Sequence, residues 1–206
     1  MSYKDWYRNE DWNKEIENQF FEKLKRSRRK EQYLRIQAGT IAKKLPDVAL
    51  SLLEQYFDLS DDFDHAQAYC DMASAYKAKG DIDNAIDSYT KALIRESIFP
   101  KLKTDAYILY PLFIVENKLT KLYHSANQVL DEHQERLMFP IDHFRWHALK
   151  AIISAENGNN DLAVNHVGLA FEAAQIKQSG FSFHQKLGVV GKEYKALIKE
   201  LRTIYA

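Results

Sequence analysis

The chain has 206 residues, 46% of them apolar and 28% charged, which is enough to bury a core as one domain or two small ones. Its 29 basic residues equal its 29 acidic ones, so no global field recruits nucleic acid or an anionic membrane, and such binding would need a local patch. Four prolines and seven glycines are too few for a hairpin-rich β protein, the lone Cys70 excludes an internal disulfide and suits a reducing compartment, and no signal pattern or membrane-length apolar run is present: a soluble cytoplasmic protein is expected.

Near the N-terminus, Trp6, Tyr7 and Trp12 stand among charges, and packing as a cap over the first helices is favoured over anchoring a partner. Residues 13–45 contain only one glycine, Gly39, and no proline. Ile16, Phe20, Leu24, Leu34, Ala38, Ile41 and Leu45 share one helical face, while Ser27 and Glu31 interrupt it. One long helix and two helices broken near Ser27 are both compatible with this pattern. Within it, KLKRSRRK carries six basic residues in eight: Lys23, Lys25, Arg26, Arg28, Arg29 and Lys30. On a helical wheel they form two arcs beside Leu24 and Ser27, as on a solvated helix with a buried stripe. As a binding patch they would contact nucleic-acid phosphate or an acidic protein surface, with Tyr33 near enough to stack.

The stretch from Ala66 to Ile94 holds two helical patterns joined at Gly80-Asp81, with Tyr69, Met72, Ala73 and Tyr76 in the first and Ala85, Tyr89 and Ala92 in the second. Small residues at Ala73 and Ala85 would let two helices approach, while the tyrosines fill the groove toward a neighbouring pair. After Gly158, Ala163, Val167 and Ala170 repeat the arrangement. Ala49 and Ala126 begin weaker copies, so that the four alanines are 36, 41 and 37 residues apart. Pro100 and Pro140 mark breaks between pairs.

This pattern resembles the tetratricopeptide repeat (TPR), closely over 66–94 and by register over 30–178, as in small bacterial TPR proteins. Ser97 stands where the family's terminal proline would be. The resemblance implies an all-α fold: a TPR-like right-handed stack of about four helical hairpins at 31–58, 65–97, 101–137 and 142–176, after an N-terminal helical extension over 1–30. A Gly-containing loop and a C-terminal capping helix follow over 179–206, where Tyr194, Leu197, Ile198, Leu201 and Tyr205 form one stripe. It also implies a concave groove lined by the first helix of each pair, to which Arg35, Gln67, Cys70, Ser74, Lys77 and Arg145 project, with Leu34, Ala148 and Ile152. These residues do not reproduce the Lys/Asn/Arg clamp of chaperone-binding members, and a partly basic, partly apolar groove fits an amphipathic or acidic peptide better.

Catalytic and metal patterns are incomplete. GVVGK at Gly188–Lys192 approaches the end of a phosphate-binding loop, but Lys186 replaces its first glycine, Glu193 its final Ser/Thr, and no strand pattern precedes it. His143 and His147 share a helix face at zinc-ligand spacing without a third ligand, and Phe144 stands where a metalloprotease needs Glu. Asp58, Asp61, Asp62 and Asp64 lack the glycine and glutamate of a calcium loop and are expected to form a solvated linker that caps the next helix. The expectation is therefore a non-catalytic scaffold or regulator without cofactor or metal, binding a protein or peptide partner. Nucleic acid at Lys23 to Lys30 is the less favoured alternative, no membrane partner is expected, and homo-oligomerisation is left open. An enzymatic reading resting on Phe183, His184 and Gly188 ranks last.

Overall fold

Asn13, Pro46, Asp81 and Pro140 start four helices, each by a local device. Asn13 Oδ1 accepts the Ile16 N–H at 2.9 Å, and the Asp81 carboxylate accepts that of Asn84 at 3.2 Å. Pro46 and Pro140 occupy first helical positions, where a missing N–H costs nothing, and Asp142 Oδ2 accepts the Phe139 N–H at 2.9 Å. The structure is a computed structural model and describes residues 5–59 and 63–205. Among these the α-helices are α1 Lys14–Lys25, α2 Lys30–Ile41, α3 Pro46–Phe57, α4 His65–Lys79, α5 Ile82–Ile98, α6 Ala106–Glu116, α7 Tyr123–Glu132, α8 Pro140–Glu156, α9 Asn160–Gln175 and α10 Lys195–Tyr205, with no strand. The all-helical class is as expected, and no described helix is long and apolar enough to cross a membrane.

Three helices end the same way. After α4, Gly80 takes a left-handed φ of 72°, and the Asp81 N–H reaches back to the Tyr76 carbonyl at 3.0 Å. After α8, Gly158 at 77° lets Asn159 bond Ser154 at 2.9 Å, and after α6 the same bond joins Leu119 to Ile114 at 3.0 Å with Lys118 at 52°. The first two turns are readable from glycine; the third is not.

Residues 13–45 form two helices, since the chain leaves α1 at Arg26 and enters α2 at Lys30. Ser27 Oγ caps the Lys23 carbonyl at 2.9 Å in that corner, so the wheel of one continuous helix does not describe the basic run. The capping role expected of Asp64 is likewise replaced: it heads α4 without a side-chain cap bond, because its carboxylate is held by Arg35. Asp61 and Asp62 lie outside the described residues.

The chain divides into two compact units, Met1–Ala106 and Tyr107–Ala206. In the first, α2 packs on α3, α3 on α4 and α4 on α5. Phe20, Leu24, Leu34, Ala38, Ile41, Leu53 and Tyr56 form its core, with Ala49, Ala73 and Ala85 fully buried where helices approach. Trp6 lies 5.5 Å from Phe20 and Trp12 5.4 Å, ring centre to ring centre, so the N-terminal aromatics pack on α1. Buried Gln37 fixes the same segment to α2, accepting the Asn9 N–H at 2.9 Å and donating to its carbonyl at 2.8 Å. In the second unit, α8 packs on α9, and α10 packs on both with Leu201 fully buried. Phe144, Leu149, Ile153 and Val167 are its core, and Trp146 Nε1 donates to the Leu130 carbonyl at 2.8 Å.

Candidate functional site

Arg35 on α2 and Gln67 on α4, both expected groove residues, meet through Asp71. Arg35 Nε lies 3.1 Å from Asp64 Oδ2, its Nη1 3.3 Å from Asp71 Oδ2, and Gln67 Nε2 donates to Asp71 Oδ1 at 3.1 Å. A Cβ on Gly39 would stand 2.9 Å from Asp71 Oδ2, so only glycine gives the carboxylate this seat. Burial pushes the Asp71 carboxyl up to about 6, outweighing Arg35 and Gln67, which favour the charged form. Sequence reasoning missed Asp71. The available signal was its offset: Arg35 and Asp71 are 36 residues apart, the same separation as Ala49 and Ala85.

Beside this network lies a cavity of about 420 Å³ lined by Arg29, Gln32, Arg35, Tyr56, Phe63 and Asp64, with Glu31 also at its wall. Arg29 links the cavity to the basic corner. Lys23 and Lys25 end α1, Arg26, Arg28 and Arg29 make the turn, Lys30 opens α2, and all six are exposed. Among the described residues only Lys25 of the six has an ion-pair partner, Glu22 at 2.7 Å. Tyr33 does not supplement this patch, because its ring packs 4.8 Å from Trp6 and 4.7 Å from Tyr7.

The other projected positions serve differently. Cys70 is buried with Sγ 3.3 Å from Thr104 Oγ1, and burial pushes its thiol up to about 12, so it presents neither surface nor thiolate to a ligand. Thr104 in turn donates its backbone N–H to Glu96 at 2.8 Å and accepts that of Ala106 at 3.1 Å, which makes this a tie between α5 and the start of α6. Leu34 is a core residue; Ser74 is half-buried and Lys77 exposed on α4.

In the second unit Arg145 Nε donates to Tyr194 Oη at 2.5 Å, and the guanidinium lies 5.2 Å from that ring's centre. Ala148 and Ile152 are buried. The chain's own C-terminal segment thus engages the position at which a partner contact was expected. His147 pairs with His166 of α9, Nδ1 to Nδ1 at 3.0 Å, rather than with the exposed His143. No three His, Cys, Asp or Glu side chains among the described residues are grouped to hold a metal ion. Gly188, in the phosphate-loop-like segment, accepts the Ile141 N–H through its carbonyl at 2.8 Å.

No protein-family model matches the chain, and neither does any curated protein or solved structure.

Proposed function

We propose that the chain is a non-catalytic, cytoplasmic protein-interaction scaffold whose helical pairs α2/α3, α4/α5, α6/α7 and α8/α9 are TPR-like hairpins. Its first unit takes an acidic, amphipathic segment of a partner protein. The observation that carries this reading is the basic corner: Lys23, Arg26, Arg28, Arg29 and Lys30 are exposed without an ion-pair partner among the described residues, in a chain of zero net charge. Arg29 brings that charge to the wall of the cavity, where Tyr56 and Phe63 offer an apolar contact. Glutamates on a docked segment would meet the cations while an apolar side chain enters the cavity, a division of labour common to helix-in-groove recognition. Arg35 is spoken for by Asp64 and Asp71, so it shapes the wall and the corner supplies the free charge.

A short peptide alternating Glu and Leu is a suitable probe. Its binding should weaken with salt, slow hydrogen exchange in α2 and α4, and fall about tenfold in the Arg28→Glu, Arg29→Glu double variant. Equal binding by that variant would sink the proposal. Tighter binding of poly(U) RNA than of the peptide, at the same salt, would favour the nucleic-acid reading instead.

A further inference from the structure

One end of the second unit exposes large apolar side chains that the core does not use. Phe183 is 95% exposed, Met138 72% and Leu187 51%, and Phe181 and Ile176 are also open to solvent. They lie together. Phe181 stacks on Phe139 with ring centres 5.6 Å apart, Met138 precedes Phe139, and Met138 and Ile176 line one shallow cavity at the start of α8 and the end of α9. Burying such groups is the usual outcome in a monomer, so a cluster of them marks a contact surface.

The segment that carries Phe183 is held in shape. The Ser179 N–H donates to the Gln185 carbonyl at 2.8 Å, Ser179 Oγ donates to the His184 carbonyl at 2.9 Å, and the Leu187 N–H reaches His184 at 2.8 Å. With Gly188 bonded to Ile141, the loop is closed on itself and tied to α8. Ordering on contact therefore costs little. The loop's own charge is one-sided, with no acidic residue between Glu172 and Glu193 and with Lys177, Lys186 and Lys192 exposed, while Glu172 lines the cavity beside Met138 and Ile176.

We infer that this end of the second unit docks on an anionic lipid bilayer, with Phe183 entering the interface and Lys177, Lys186 and Lys192 facing the headgroups. A side chain as exposed as Phe183 is a knob, which a deformable interface accepts without a matching pocket. Leu187, Ile176 and Met138 gain from acyl chains and nothing from stacked bases, which separates this surface from a single-strand nucleic-acid site. Apolar insertion and basic attraction are each weak alone and together suffice for reversible membrane attachment. A bilayer surface requires no spanning helix.

The test is sedimentation of the full chain with phosphatidylcholine vesicles carrying about one-third phosphatidylserine. Co-sedimentation is expected with these vesicles and not with pure phosphatidylcholine, weakening with salt. It should fall about tenfold in Phe183→Asp and in Lys186→Glu, whose melting temperatures stay at the parent value because both side chains are exposed. Three results would overturn the inference. The first is no association with anionic vesicles. The second is association that survives Phe183→Asp but is lost in the Arg28→Glu, Arg29→Glu variant, which would put the lipid contact at the basic corner. The third is Phe183-dependent binding of poly(U) RNA in place of vesicles.

Discussion

Arg35 Nη1 stands 3.3 Å from Asp71 Oδ2, joining α2 to α4 through a carboxylate that burial keeps only weakly acidic. Its carboxyl rises from the ordinary 3.8 to about 6, so between those values the folded chain holds a proton that the unfolded chain has released. The resulting stability is fully present below pH 3.8 and is lost as pH rises through about 6, a change of about 3 kcal/mol. Asp71→Asn removes the titration but keeps an acceptor for Arg35. Urea unfolding from about pH 4 to about pH 7 should then show the variant gaining on the parent by about that amount. A difference that stays constant with pH would contradict the burial argument.

Gly39→Ala tests the same seat from the other side. Inside a helix the substitution should stabilise by about 1 kcal/mol on propensity alone. Here the new methyl would meet Asp71 Oδ2 at 2.9 Å and its Cγ at 3.0 Å, and that carboxylate cannot swing away without leaving Arg35 and Gln67. The expected net effect is a loss of about 1 kcal/mol, and with Asp71→Ala in the background the sign should reverse. Stabilisation by Gly39→Ala in the parent chain would mean the carboxylate is not confined.

These residues show what a sequence can and cannot disclose. The Gly80 and Gly158 turns and the buried alanines were legible because the steric demand at each is met by one or two residue types. The break between α1 and α2 was not decided, since the apolar face resumes at Leu34 after the interruptions at Ser27 and Glu31. The engagement of Arg145 by Tyr194 and the partner of His147 depend on contacts 49 and 19 residues away, for which periodicity has no term. Asp71 lies between these cases: its register with Arg35 was countable, but its burial was not.

Lys118 illustrates the same limit in reverse and yields a stabilising change. It ends α6 with the bond pattern that Gly80 and Gly158 use, at φ 52°, a region where a Cβ is unfavourable. Its side chain is exposed. Lys118→Gly should therefore raise stability by about 0.5–1 kcal/mol, read as a shifted urea midpoint at unchanged slope. Lys118→Val should lower it, since a β-branched residue tolerates that φ least. The opposite order would show that α6 does not end in this turn in solution.

The His147 and His166 pair predicts an acid-side loss of stability opposite in sign to that of Asp71. With Nδ1 atoms 3.0 Å apart, one ring donates and the other accepts, so a second proton between them is disfavoured. Burial first, then His166 and His143, bring His147 from 6.5 to about 4; burial and then Lys150 lower His166, against a smaller raising effect of Asp131. Lys150 itself is held by Asp131 at 2.7 Å and Asn127 at 2.8 Å, so its charge stays beside the pair. For lowered histidines the stability is present above pH 6.5 and is lost as pH falls through about 4. Both rings are partly open to water, which screens the effect to about 1 kcal/mol. His147→Gln should melt with less acid sensitivity than the parent between those limits. In an imidazole NMR titration Lys150→Met should move His166 upward, whereas an unchanged His166 titration would detach Lys150 from the pair.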